Sequence, residues 1–159
     1  MIPPTWRPSP NFKTQPHRRV DAVVLHATAG NFDGDLAWCL DPASKVSYHY
    51  LINKAGLVVQ LVKEDNRAWH AGMSRWNGRW DLNSWSVGVG LSNLNDGKDP
   101  YSIPQIVAAV ELIRQICSRY ALLQDQVLGH YEVSGPDVRP QHPKTDPLGL
   151  SMELFRKLL

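Results

Sequence analysis

Apolar residues fall in short blocks along this chain, and the blocks differ in period. Ala22-Val23-Val24-Leu25 is a continuous apolar run and predicts a buried strand. It ends at His26-Ala27-Thr28-Ala29-Gly30, where small neighbours leave the histidine free to point into a cleft. Asp33 to Leu40 predicts a short helix that stops before Pro42. Ser47 to Ile52 and Leu57 to Val62 are β-rich, and Asn53-Lys54-Ala55-Gly56 between them reads as a hairpin connection. Val87 to Leu91 predicts another strand, and its Gly88 and Gly90 imply close approach of a neighbouring strand or a ligand.

The longest helix is predicted over Pro104 to Tyr120, with Ser102 as N-cap and Pro104 in the first turn, where a missing N–H costs nothing. Ile106, Val110, Ile113 and Cys117 lie at i, i+4, i+7 and i+11, one apolar face that makes Cys117 a core thiol. Val127-Leu128 leads into Gly129-His130, and Ser151 caps a last short helix reaching Leu159. Strands and helices do not alternate as regular βαβ units. The expected fold is therefore mixed α/β (α+β), with a single central mixed β-sheet flanked by helices. Residues 1–19 carry Pro3, Pro4, Pro8, Pro10 and Pro16, so this arm is extended or irregular. It is either loose or packed on the domain, and we assign it as packed.

Composition narrows the picture. A length of 159 residues suits one domain, here taken as 1–159. Lys plus Arg number 17 and Asp plus Glu 15, a net charge of +2 that gives no reason to expect nucleic acid or an anionic membrane as partner. Cys39 and Cys117 form neither a disulfide framework nor a CxxC pair, which excludes a thiolate zinc knuckle. No apolar run is long enough to span a membrane, and the first residues lack the apolar core of a signal peptide. The expectation is a monomer without membrane insertion.

The candidate chemistry lies in the histidines. Neutral imidazole is the commonest metal ligand, and His26 and His130 each close a short apolar run. Two strand ends on one sheet edge can bring both to one ion. A catalytic zinc takes three protein ligands and keeps a fourth position for water, and Asp146 in Lys144-Thr145-Asp146-Pro147 offers the carboxylate. Taken singly, His26 and His130 fit structural histidines equally well, and Asp146 reads as a solvated loop acid.

Six motifs occur in order: Val24-Leu25-His26-Ala27-Thr28-Ala29, Ser47-Tyr48-His49-Tyr50-Leu51-Ile52, Arg67-Ala68-Trp69-His70-Ala71-Gly72, Ser86-Val87-Gly88-Val89, Gly129-His130-Tyr131-Glu132 and Lys144-Thr145-Asp146-Pro147. Together they resemble the zinc-dependent N-acetylmuramoyl-L-alanine amidases of the amidase-2 type, whose fold is shared by phage lysozyme-type amidases and peptidoglycan recognition proteins. Ser9-Pro10-Asn11-Phe12 is similar to the N-terminal arm of the bacterial branch, so the resemblance runs from about residue 6 to 150. It implies that His26, His130 and Asp146 are the zinc (Zn2+) ligands. The stretch between His130 and Asp146 is longer than in typical bacterial members, and its Asp137 and His142 compete as third ligand. Lys144 is implied beside the metal, where its ammonium stabilises a tetrahedral oxyanion. The polar and aromatic stretch from Trp69 to Trp85 suits sugar faces and stem peptides, or simply covers the sheet. Trp69, His70, Trp76 and Trp80 are its candidate substrate-binding residues.

One departure bears on activity. Many bacterial members carry a Glu, thought to act as general acid or base, where Val87-Gly88-Val89-Gly90 places Gly90. Phage lysozyme-type members lack that Glu and carry a Tyr where this chain has Tyr48, next to His49. Tyr48 then serves the zinc water, with His49 turned to the opposite face of its strand. The implied function is hydrolysis of the amide between N-acetylmuramic acid and L-alanine in peptidoglycan or a muropeptide. The alternative is a peptidoglycan-binding protein whose catalysis is weak or lost because of Gly90. A structural zinc domain is disfavoured, because three ligands leave an open position. The setting implied is a phage lysin or recycling enzyme, cytoplasmic before release, that acts on the cell wall.

Overall fold

The computed structural model describes residues 3–159, so the first two residues of the arm lie outside it. Among the described residues the chain runs β1 (Thr5–Trp6), β2 (Phe12–Thr14), β3 (Ala22–Ala27), α1 (Phe32–Leu40), β4 (Tyr50–Ile52), β5 (Val58–Gln60), β6 (Asn66–Ala68), β7 (Arg75–Trp76), β8 (Arg79–Trp80), β9 (Ser86–Leu91), α2 (Ile103–Tyr120), β10 (Val127–Gly129), α3 (His130–Val133) and α4 (Met152–Lys157). Six strands form one mixed sheet in the order β1-β5-β4-β9-β3-β10. β4, β9, β3 and β10 run parallel, and β5 returns antiparallel to β4 through the predicted turn, where Gly56 takes φ 82°. No helix among the described residues is long and apolar enough to cross a membrane.

Alternation along β3 and β9 divides the sheet into two faces. Val23, Leu25, Val87, Val89 and Leu91 point to one side, where α2 and α4 cover them with Leu112, Ile113, Ile116, Met152 and Phe155. His26, Ser86, Gly88 and Gly90 share the parity of Ala22 and Val24, which pack in a separate cluster with Leu82, Trp85 and Val133. Over β4 and β5 that side is filled by Leu51, Val59 and Cys39 of α1. The functional residues are thus built on the face opposite the long helix.

Helix α2 begins as expected, with the Ser102 hydroxyl accepting from the Gln105 N–H and Pro104 in the first turn. Its buried face is displaced from the predicted stripe. Gln105, Ala109, Leu112, Ile113 and Ile116 are buried together with Val110, whereas Ile106 and Cys117 are only half-buried. The cause is Gln105, whose amide donates to the Ile52 carbonyl at 3.0 Å and the Ser92 carbonyl at 3.1 Å. A glutamine that satisfies two buried carbonyls belongs inside, although its polarity hides it from a hydrophobic period.

The arm lies along the fold. β1 pairs with β5 at the sheet edge, and β2 pairs with β6. Between them the Asn11 amide reaches the carbonyls of Cys39, Asp41 and Val46 at 2.8–3.1 Å, and Ser47 donates to the Asn11 carbonyl. These bonds fix the end of α1 and the segment that delivers Tyr48.

His49 is buried and forms the next lock. Its Nδ1 accepts from the Gly88 N–H at 2.9 Å and its Nε2 donates to the Asn66 carbonyl at 3.0 Å, tying β9 to β6. Burial, with the positive charge of Arg18, holds its pKa down from 6.5 to about 3. A base depressed on folding leaves stability intact above about 6.5 and erodes it as the pH falls toward 3. Replacing His49 by Gln should therefore cost about 1–3 kcal/mol at neutral pH. That difference should shrink by roughly 1.4 kcal/mol per pH unit below 6.5, as read from urea midpoints of the two proteins at several pH values.

Candidate functional site

His26 lies near the C-terminal end of β3, and His130 follows the last residue of β10, the parallel neighbour of β3. Adjacent parallel strands end on the same sheet edge, so their terminal residues meet. The rings of His26 and His130 lie 4.4 Å apart. Asp146 is brought to them by the loop after α3. The Tyr131 N–H donates to the Asp146 carbonyl at 3.0 Å, and the Lys144 N–H donates to the Ser134 carbonyl at 2.9 Å, which holds that loop against α3.

The Asp146 carboxylate lies 3.1 Å from Nδ1 of His130 and 3.3 Å from Nδ1 of His26. The three ligating atoms fall within 4.8 Å of one another and all three residues are buried. A tetrahedral ion with bonds of about 2.0–2.2 Å places its ligand atoms about 3.4 Å apart, so the group fits a zinc-sized metal. Asp137 is exposed and paired with Arg75 at 3.0 Å, and His142 is exposed; neither joins the group. Burial alone pushes the Asp146 carboxyl up, but the adjacent imidazoles of His130 and His26 outweigh it and hold the carboxyl well below its usual range. Burial, and then the neighbouring His130, bring His26 down to about 4. The group thus presents one carboxylate and a neutral His26.

The outward nitrogens of both rings are occupied. Nε2 of His130 lies 3.1 Å from the Ala71 carbonyl, and Nε2 of His26 lies 3.0 Å from Nδ1 of His70. The backbone of this 70–71 segment is held in turn by Asn83, whose Oδ1 accepts from the His70 N–H at 3.0 Å and the Ala71 N–H at 2.7 Å. The supporting role of Asn83 and Ser86 is not legible in the sequence, since neither lies in a metal-like spacing.

The group forms the floor of a cleft of about 680 Å³, within the range of small-ligand sites. Tyr48, Trp69 and Lys144 line it, with Lys45, Arg67 and Arg139 as further cations. Asp146 is the only carboxylate in the lining among the described residues. The Tyr48 ring lies 5.2 Å from that of His26 and rests on Gly90, where a Cβ would come within 3.0 Å of it. Gly88 likewise admits the His70 ring, 2.4 Å from the place of a Cβ. The close approach implied by the two glycines is therefore that of side-chain rings from the same chain. Burial, with Cys39 and Asp146 nearby, raises the Tyr48 phenol well above its ordinary value, so it stays a hydrogen-bond donor.

His70 borders the cleft but is only 7 % exposed, and its ring is engaged with His26. Trp76 and Trp80 belong to the β7–β8 hairpin and are not in the lining. Trp76 stacks on Trp85 at 6.3 Å, and Trp80 lies under the Arg75 guanidinium. The structure brings Trp69 to the cleft and leaves these two outside it, because the hairpin packs over the cluster around Trp85.

A profile described as N-acetylmuramoyl-L-alanine amidase matches residues 16–149. The chain belongs to this amidase family. It is 36% identical over 143 residues to N-acetylmuramoyl-L-alanine amidase AmiD of Escherichia coli, covering 81% of this chain and 49% of AmiD. The chain thus spans about half the length of that relative. A crystal structure of an AmpD derivative superposes with a TM-score of 0.80 at 27% identity, covering 100% of this chain and 96% of AmpD. The Escherichia coli AmiD complex with the substrate anhydro-N-acetylmuramic acid-L-Ala-D-gamma-Glu-L-Lys superposes with a TM-score of 0.77 at 31% identity, covering 88% and 57%. The amidase fold, a mixed sheet with few helices, agrees with the class expected from the sequence. If this group binds zinc, the Asp146→Ala chain should retain little added zinc after dialysis, whereas Asp137→Ala and His142→Ala should retain it, as measured by elemental analysis.

Proposed function

We propose that this chain is a zinc-dependent amidase that hydrolyses the bond between N-acetylmuramic acid and L-alanine in peptidoglycan or its fragments. The observation that carries this is the buried His26, His130 and Asp146 group on the floor of an open cleft, in a chain of this family. A zinc ion held there would lower the pKa of a bound water toward about 7 and polarise the scissile carbonyl. The chain's own groups then divide the remaining tasks. Tyr48 donates its hydroxyl proton toward the reacting oxygens from above Gly90. Lys144 brings an ammonium to the same wall, where it offsets negative charge on the tetrahedral oxygen. Trp69 offers a flat apolar surface, and Lys45 and Arg139 suit the carboxylates of a stem peptide, whereas the Arg67 guanidinium is paired with Asp81 at 2.8 Å.

The substrate class agrees with the comparison, since AmiD is seen in complex with an anhydro-muramyl tripeptide substrate and related proteins are named as 1,6-anhydro-N-acetylmuramyl-L-alanine amidases. We place the protein on the cell wall or its recycled fragments, acting as a monomer that is cytoplasmic before release. A second reading, a peptidoglycan-binding protein with weak catalysis, is favoured by one feature: the cleft holds no carboxylate besides Asp146 among its described lining.

Mass spectrometry of digested, purified peptidoglycan separates the two readings. Amidase action releases free stem peptides that begin at L-alanine; exhaustive chelation should abolish them and added zinc should restore them. Hydrolysis that survives complete metal removal would sink the mechanism. Tyr48→Phe should lower turnover by about 10²-fold, the cost of one lost donor at a developing charge, while metal content stays at the wild-type level.

A further inference from the structure

His70 was expected in the substrate groove, but its ring is turned inward against His26, and its surroundings prescribe where its proton lies. Ser86 Oγ is 2.6 Å from the Leu82 carbonyl. A carbonyl oxygen only accepts, so the Ser86 hydroxyl spends its proton there. Its lone pairs then face Nε2 of His70 at 3.4 Å, which makes that nitrogen the N–H. A neutral imidazole carries one N–H and one lone pair, so Nδ1 of His70 is bare. That bare nitrogen lies 3.0 Å from Nε2 of His26, which must therefore carry hydrogen and donate. The lone pair of His26 is left on Nδ1, the atom 3.3 Å from Asp146. Four groups in series thus convert a fixed carbonyl into a fixed direction for one metal-facing lone pair.

The ring has a seat built for it. Gly88 gives up its side chain exactly where the imidazole lies, since a Cβ there would stand 2.4–2.7 Å from three of its atoms. The His70 backbone is held by Asn83 at 3.0 Å, so neither the ring nor its stem is free to turn. His130 reaches the same result by a shorter route, through the carbonyl of the next residue, Ala71. One dipeptide therefore serves both imidazoles.

We infer that His70 is a positioning residue that holds His26 in the Nε2–H form through the series His26, His70, Ser86 and the Leu82 carbonyl, and so sets the metal affinity of the site. This rests on the zinc reading above. His70 does not touch the reacting atoms; it acts through His26.

The test uses the full chain, Zn2+ and a chromogenic chelator competing for it, with no substrate present. His70→Leu should weaken zinc binding by ~10–100-fold, the usual effect of losing a partner behind a metal-bound imidazole. His70→Asn, whose short amide can put an acceptor near the place of Nδ1, should recover most of that loss. Nitrogen-15 spectra of the zinc-loaded wild type should show His70 protonated on Nε2 and bare on Nδ1. In Ser86→Ala this single form should give way to a mixture, a result that does not depend on His70→Leu folding. Zinc affinity unchanged in a folded His70→Leu, a proton on Nδ1 of His70, or an unaltered His70 spectrum in Ser86→Ala would each overturn the inference. A wild-type chain that fails to bind zinc would instead overturn the metal reading on which it stands.

Discussion

The site depends on where two imidazoles put their lone pairs. A neutral ring has one, and a ring rotated or protonated the other way offers the metal an N–H. Parallel pairing of β3 with β10 solves the problem of distance, because both histidines then stand at one sheet edge. It does not solve the problem of direction. Direction comes from the 70–71 segment, which occupies Nε2 of His26 with a side chain and Nε2 of His130 with a carbonyl. Asn83 holds that segment through two backbone N–H groups. Burial makes the arrangement stricter, since an unpaired polar group in this interior costs about 1–3 kcal/mol and leaves few alternative packings.

Strand β9 supplies the space. In the middle of the sheet it faces the helical core with Val87, Val89 and Leu91 and faces the site with Ser86, Gly88 and Gly90. Any side chain at 88 would displace His70, and any at 90 would press on Tyr48. The strand keeps its valines on the side where burial stabilises the fold and drops its side chains where rings must lie. Glycine weakens a strand interior; here six residues of pairing with β3 and further pairing with β4 offset that weakness.

The sequence was most legible where chemistry and period coincide. His26 and His130 close apolar runs, and Asp146 stands in a distinctive loop motif; all three meet in space. The hairpin turn, β9 and the cap of α2 were readable because each has a local cause in a few adjacent residues. What escaped was set by contacts distant in sequence. His70 bonds a ring 44 residues away, so no spacing reveals it. Gln105 looks solvent-facing until the carbonyls of Ile52 and Ser92 are seen beneath it. The tryptophans were ambiguous for the same reason: composition reports a supply of flat rings, but only the packing of β7 and β8 on Trp85 decides that Trp69 faces the cleft while Trp76 and Trp80 do not.

Gly90 acquires a different meaning from this geometry. Read as sequence, it is a missing carboxylate. In the fold it is the floor under Tyr48, with the ring so close that even a methyl group would press on it. A side chain at this strand position would require the Tyr48 ring to shift by a few tenths of an ångström. The present choice sets the Tyr48 ring, from the segment before β4, directly over Gly90. The arm makes that choice rigid: Asn11 ties the end of α1 to Val46, and Ser47 is bonded on both sides immediately before Tyr48. A side chain delivered by a loop is as well placed as one on a strand only if the loop cannot move, and these bonds supply that condition.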